Sequence, residues 1–260
     1  PCRNMDCAGL NAAAPLVYLH GLPGGPDELK LVSERVDTFA PDLRDGPVSD
    51  QIKARFGATP VTLIGFSLGA FGAMRFAADH PSQIAHLHLI APAAPLELGD
   101  FLKDMAGGPI FRMARNHPWL FRLVTRVQAL VARIAPDFFA RQVFALSQGK
   151  DAPLAADPTF RRDWSAVAQT CLSGGAAAYR AEITAYVAPW SGVLARVGVP
   201  TTIWYGTADN WVPPAMAEAL AQALPNVACV RQIMDGSHYS TLAAALPHIM
   251  APSGDQIAFS

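Results

Sequence analysis

Val61-Thr-Leu-Ile-Gly65-Phe-Ser67-Leu-Gly69-Ala-Phe-Gly-Ala-Met74 is the stretch on which the reading of this chain turns. The apolar, partly β-branched run Val61 to Ile64 meets Gly65-Phe66-Ser67-Leu68-Gly69, and small and apolar residues follow at helical spacing. That order is strand, sharp turn, helix, with Ser67 at the apex, and G-x-S-x-G in this setting reads as a nucleophile elbow. A residue pinched between a strand end and a helix start is pushed toward positive φ, at a cost of roughly 1–3 kcal/mol. Gly65 and Gly69 leave room where a Cβ would clash. The Ser67 hydroxyl then stands at a helix N-terminus, where unpaired N–H groups favour developing negative charge. Gly-rich strand-to-helix turns also bind phosphates, so the rest of the chain has to decide.

Upstream, Pro15 to Leu19 reads as a short buried strand that runs into the turn-rich His20-Gly21-Leu22-Pro23-Gly24-Gly25. Asp27 to Val36 has helical spacing, with Asp27 as its early acid, and Thr38 to Ala40 is a brief strand ending at Pro41-Asp42-Leu43-Arg44. Ser49 to Phe56 forms a short amphipathic helix capped by Ser49 or Asp50. Downstream, the elbow helix stops at His80-Pro81, and His86 to Ile90 is a further strand. Short strands alternating with helices of this length imply a largely parallel sheet covered on both faces.

From Pro95 to about Trp190 strand signals fade and helical periodicity takes over, as in Leu120, Leu123, Val124, Val127, Leu130, Val131 and Ile134. The α/β rhythm then returns: strand Thr201 to Tyr205, helix Pro214 to Leu224, strand Val227 to Ile233, helix Tyr239 to Ile249. The expected division is an α/β core from 1–94 and 191–260, with an all-helical insertion over 95–190.

Composition narrows the function classes. With 51% hydrophobic and 16% charged residues, a 260-residue chain can bury a sizeable core and is not a disordered one. A net charge of −1 disfavours nucleic acid as a partner. Four scattered cysteines suit neither a disulfide framework nor a zinc site, although Cys2 and Cys7 could pair in an oxidising compartment. No secretory signal is legible around Ala12 to Leu19, so a cytoplasmic location is expected, with a removed leader compatible with a chain that begins at Pro1. The uncharged run Phe56 to Met74 is long enough to flag as a membrane span. Pro60, Gly65, Ser67, Gly69 and Gly72 suit the elbow and suit a lipid-facing helix badly, so no span is expected.

A serine hydroxyl is a poor nucleophile at neutral pH. It needs a base, and the base needs an orienting acid. In elbow enzymes these follow in the chain order Ser, acid, His. Asp209, in Tyr205-Gly-Thr-Ala-Asp209-Asn-Trp-Val-Pro213, and His238, in Asp235-Gly-Ser-His238-Tyr-Ser240, both follow strands. Loops at strand C-terminal ends are where α/β sheets assemble their sites. Asp235 is a rival acid better suited to capping its own turn. His20 is a rival base better suited to bracing its Gly-rich loop. His80, His86, His88, His117 and His248 lie where ordinary structural roles suffice. Acyl transfer also needs donors for an oxyanion: the Leu68 N–H, first after the nucleophile, and the Leu22 N–H from the loop after the Pro15–Leu19 strand.

Over nearly its whole length the chain resembles the α/β-hydrolase superfamily, in particular serine-nucleophile members with a helical cap domain. His20-Gly21-Leu22-Pro23 is similar to the family's H-G-x-P oxyanion loop, and Ala40-Pro41-Asp42-Leu43-Arg44 to its following strand end. Ser67, Asp209 and His238 match the nucleophile, acid and base positions, and Gly206, Asp209 and Pro213 match a G-x-x-D-x-x-x-P pattern. Two departures stand out: fewer residues precede Pro15 than the family usually carries, and Asp45-Gly46-Pro47 abbreviates its glycine-rich continuation after Arg44.

The resemblance implies an α/β-hydrolase fold, a Ser67-His238-Asp209 triad, an oxyanion hole of Leu22 and Leu68 N–H groups, and loop support from His20, Gly21, Gly65 and Gly69. It implies a carboxylesterase-like serine hydrolase acting on a small-molecule substrate with an apolar acyl or aromatic group. No metal or organic cofactor is called for. The same scaffold also serves cleavage of carbon–carbon, thioester or amide bonds, or ligand binding without turnover. Arg112, Arg115, Arg122, Arg126, Arg133 and Arg141 in the helical stretch face only Asp137 as a local acid. They are either a solvated helix face or, for one or two of them, an anchor for an anionic substrate group.

Overall fold

The computed structural model describes residues 14–32, 38–173 and 176–250. Five strands, β1 (Leu16–Leu19), β2 (Val61–Phe66), β3 (Ile84–Ile90), β4 (Thr201–Gly206) and β5 (Val227–Ile233), form one sheet in that order, parallel throughout. Val61, Leu63, Ile64 and Phe66 of β2 are completely buried, the near-continuous apolar strand expected where helices cover both sheet faces. At the edge, β5 is only part-buried and alternates along most of its length. The brief strand expected over 38–40 is a single parallel bridge: Tyr18 N donates to Phe39 O at 2.9 Å and Phe39 N to Leu16 O at 3.0 Å.

The helices follow the expected rhythm with local differences. A tight 3-10 turn, Pro26–Leu31, stands where a longer helix toward Val36 was expected, and 33–37 lie outside the described residues. Helix α1 (Val48–Phe56) starts one residue before Ser49 with Pro47 at its cap position, and neither Ser49 nor Asp50 caps it. Proline supplies a preset φ at such a start but no side-chain acceptor. Helix α2 (Gly69–Asp79) follows the elbow. The uncharged Phe56–Met74 run is thus divided among the end of α1, β2, the turn and α2, and no helix among the described residues is long and apolar enough to cross a membrane. Cys2 and Cys7 lie outside the described residues.

Between β3 and β4 the described residues are helical and carry no strand. The helices there are α3 (Gly108–Asn116), α4 (Pro118–Ile134), α5 (Pro136–Val143), α6 (Asp151–Ala156), α7 (Pro158–Leu172) and α8 (Ala177–Val187). The entry and exit of this stretch are clasped together. Glu97 Oε1 accepts from Trp190 N at 2.9 Å and Ser191 N at 3.0 Å. Nearby, the buried Tyr186 hydroxyl donates to Ala94 O at 2.8 Å. Helices α9 (Pro214–Ala223) and α10 (His238–Met250) complete the α/β part.

Candidate active site

The turn between β2 and α2 has the backbone that its spelling demands. Ser67 adopts φ +54°, one of few side-chain-bearing residues on the left-handed side. It is held there because Ser67 N donates to Ile90 O at 3.0 Å, while Ser67 O accepts from Ala70 N and Ala93 N, each at 3.1 Å. A Cβ on Gly65 would lie 2.7 Å from Ala73 Cβ and 2.8 Å from Ala70 Cα. One on Gly69 would fall on the Leu19 carbonyl oxygen. The two glycines therefore let α2 fold back against β2 and the end of β1, and Ser67 is left at the crest.

The His20–Gly25 loop lies against that crest. A Cβ on Gly21 would sit 3.1 Å from Ser67 Cβ, so the loop reaches Ser67 in backbone contact range. His20 is buried and its Nδ1 bonds Gly21 O at 2.9 Å. Leu22, joined to Pro23 by a cis peptide bond, follows directly. Leu68 comes immediately before α2, at the end of a helix where amides lack intrahelical acceptors.

Asp209 and His238 are joined directly. His238 Nδ1 donates to Asp209 Oδ2 at 2.9 Å. The other carboxylate oxygen, Oδ1, accepts from Trp211 N at 2.8 Å and Val212 N at 3.0 Å, so the Asp209 carboxylate is held through both oxygens. With the proton on Nδ1, Nε2 is left as the basic nitrogen. The imidazole packs on Phe66, the residue before Ser67, with ring centroids 4.6 Å apart, and stacks on Trp211 at 5.9 Å. Ser67 is thus brought to the same sheet edge through Phe66 and Gly21, with no hydrogen bond to His238 among the described residues. His238 begins α10 rather than lying in a loop before it.

Electrostatics around the imidazole favour a proton. Burial opposes the charge, but Asp209, by charge and hydrogen bond, and the charges of Asp151 and Glu28 outweigh it, so the His238 pKa is raised. Two of these carboxylates escape notice in the sequence. Glu28 is buried in the 3-10 turn; its Oε2 accepts from Tyr18 Oη at 2.7 Å and from Gly21 N at 2.8 Å, and its Oε1 accepts from Tyr239 Oη at 3.3 Å. Trp164 Nε1 of α7 in turn donates to Tyr239 Oη at 2.8 Å. Desolvation raises the Glu28 pKa despite these partners.

Asp151, at the start of α6, accepts from Tyr239 N at 2.8 Å and Ser240 N at 2.7 Å. It therefore caps the helix that carries His238, from a distant part of the chain. Helical signals mark neither residue, since both act through contacts remote in sequence. Asn210, next to Asp209, is tied to the helical stretch as well: its Nδ2 donates to Leu146 O, and its O accepts from Ala106 N, each at 2.7 Å.

The rival residues have structural duties. Asp235 is an exposed turn residue at φ +56° whose N–H donates to Thr207 Oγ1 at 2.8 Å. His86 and His88 sit on one face of β3 with rings 4.5 Å apart, and burial lowers their pKa values to about 4 and about 3. His80 ends α2, His117 precedes α4, and His248 stacks on Trp204. Of the arginines in the helical stretch, Arg112 donates to Leu102 O, Arg141 pairs with Asp137, and Arg115, Arg122, Arg126 and Arg133 are exposed.

Beside Leu22 a narrow cleft, with a volume of about 20 Å³, opens between the His20–Gly25 loop and α7–α8, with Arg44, Cys171 and Tyr179 in its walls. Arg44 is occupied there: its Nε lies 2.9 Å from Asp42 Oδ1. Burial pushes the Cys171 thiol up to about 12, so it stays protonated.

Comparison with known proteins agrees with the architecture. The structure resembles a thermophilic esterase from Thermogutta terrifontis (19% identity, 92% of this chain and 88% of that one, TM-score 0.65). It also resembles a bromoperoxidase from Bacillus anthracis (18%, 90% and 88%, 0.61) and MenH from S. aureus (20%, 94% and 94%, 0.59). At such identities the likeness is one of fold. No curated protein sequence matches the chain. The family model for the alpha/beta hydrolase fold matches residues 14–242, and the chain belongs to that family.

Proposed function

We propose that this protein is a serine hydrolase that cleaves a carboxylic ester through an acyl-enzyme. The observation that carries the reading is the strained Ser67 at φ +54°, with the Gly21 backbone against its Cβ and the His238–Asp209 pair packed on its neighbour Phe66. Ser67 Oγ attacks the carbonyl carbon as its proton passes to His238 Nε2, and Asp209 stabilises the imidazolium. The oxyanion is received by the Leu22 and Leu68 N–H groups, each such donor contributing about 2.7–4 kcal/mol. His238 returns the proton to the leaving alkoxide and then activates water to release the acid. A Ser67–His238 hydrogen bond that closes only with substrate in place is ordinary for such sites.

In this reading 1–94 and 191–260 form the catalytic core and 95–190 a helical cap that sets the substrate. Phe144, Phe160, Trp164, Trp211 and Tyr239 pack together around the imidazole side of the site. Their number favours an apolar acyl or aromatic substrate group. The exposed arginines favour a solvated face over a role in holding substrate.

The test is a panel of chromogenic esters, thioesters, amides and ring-fission diketones, run with labelling by a fluorophosphonate probe. Wild type labels at Ser67 and turns over esters fastest, and Ser67→Ala loses both, on the order of a millionfold in kcat. Undiminished ester turnover in Ser67→Ala ends the proposal. Labelling with diketones or thioesters preferred moves the reaction to another bond on the same machinery.

A further inference from the structure

Helix α4 faces the wrong way for a helix in a globular fold. Its buried positions are Phe121, Thr125 and Ala132, while Trp119, Leu123, Val127, Leu130 and Ile134 are exposed, Trp119 and Ile134 by about two-thirds (68% and 67%). The exposed five are spaced by four, four, three and four residues, so they share one stripe. At about 100° per residue that stripe lies opposite the buried side. Arg122, Arg126 and Arg133 form a row along one flank of it, all exposed. A stable soluble monomer seldom keeps such a stripe bare, so it marks an interaction surface.

The charge pattern identifies the occupant. From Met105 to Pro136 the chain carries five arginines and no Asp or Glu, although over its whole length Lys+Arg number 20 and Asp+Glu 21. Arg180 of α8 adds to the cluster: burial and the neighbouring charges of Arg126 and Arg122 lower its pKa. Asp137, the nearest acid after α4, is engaged by Arg141 at 2.6 Å and Arg161 at 3.0 Å. A two-fold contact that paired α4 with a second α4 would set arginine against arginine and offer the row no anion. An arginine row beside a Trp, Leu, Ile and Val stripe is instead the composition of a helix that lies in a lipid interface.

We propose that α4 docks this protein on an anionic phospholipid bilayer, its apolar stripe among the upper acyl chains and Arg122, Arg126 and Arg133 at the phosphates. The inference does not depend on the proposed reaction, since binding requires no turnover.

The experiment is co-sedimentation of the full chain with vesicles of phosphatidylcholine alone and of phosphatidylcholine with phosphatidylglycerol. Binding to the anionic vesicles exceeds that to the neutral ones by about tenfold or more at low salt and falls as salt is raised. The double variant Leu123→Glu/Val127→Glu loses binding to both kinds. Arg122→Gln/Arg126→Gln loses only the anionic preference. All these positions are exposed, and circular dichroism confirms that each variant is folded. Absence of vesicle binding overturns the proposal, as does binding that is indifferent to both variants. A dimer in sedimentation equilibrium that Leu123→Glu/Val127→Glu dissolves, with vesicles left unbound, assigns the stripe to a second copy and equally overturns it.

Discussion

Helices α2 and α4 are both built from apolar residues at helical spacing, and they use that pattern in opposite ways. In α2 the residues Ala70, Phe71, Ala73, Met74, Phe76, Ala77 and Ala78 are all buried, and Gly65 lets the helix close on β2. In α4 most of the periodic apolar set faces solvent, and the covered face is lined by Phe121, Thr125 and Ala132. The difference shows that periodicity reports how a helix sorts its side chains. Which face is covered depends on what lies next to it. For α2 the neighbour is the sheet; for α4 it is other helices, approaching from the side that carries Phe121, Thr125 and Ala132.

The sharpest way to break this comparison is a matched pair of substitutions. Met74→Ala, at a fully buried position, is expected to cost about 2–5 kcal/mol, whereas Leu123→Glu, at a position 53% exposed, should stay within about 0.5 kcal/mol. Urea melts of the two variants read the contrast, and equal losses would mean that α4 packs on something in solution.

A smaller effect concerns pH. Because the His238 pKa is raised above the ordinary 6.5, and the base must be neutral to act, the acid limb of kcat/KM should fall above that value. Stability moves the other way: the protonated pair contributes fully below the unfolded value, and its contribution is lost as pH rises through the folded one. A pH–rate profile of ester turnover, set beside melts across the same range, checks both signs.

The smallest effect is expected at the joint between the two regions. Asp151→Asn keeps an acceptor for α10 but removes a charge from a helix N-terminus. The expected loss is about 1 kcal/mol, and the acid limb should shift toward lower pH as His238 loses a carboxylate neighbour. A stability loss with an unmoved limb would confine Asp151 to capping.

Much of the α/β part is legible in the residues themselves, because local chemistry decides it. The apolar strands announce themselves, and the elbow glycines and Asp209 sit at strand ends whose neighbours mark them, while His238 opens α10 where a loop was expected. What is not legible depends on distant contacts. Nothing near Glu28 reveals that it will accept from Tyr18, Gly21 and Tyr239, and nothing near Asp151 reveals that its partners lie at 239 and 240. The 3-10 turn at Pro26–Leu31 is obscured in the same way. Leu29, Val32 and Val36 have helical spacing in the sequence, but the burial of Glu28 beneath Gly21 and Gly24 sets the path of the chain over Pro26–Leu31, leaving no space for a Cβ on Gly24.

The carboxylate that Asp151 lends to α10 also limits how this protein can be re-engineered. Swapping the helical stretch that contains α6 for a foreign one would strip Tyr239 N and Ser240 N of their acceptor at the start of α10, the helix that carries His238. A successful chimaera has to bring its own acid to that spot, or exchange the native Ser237 for an aspartate or asparagine that serves α10 from within. Inherited loop lengths alone would leave the graft folded but its histidine adrift.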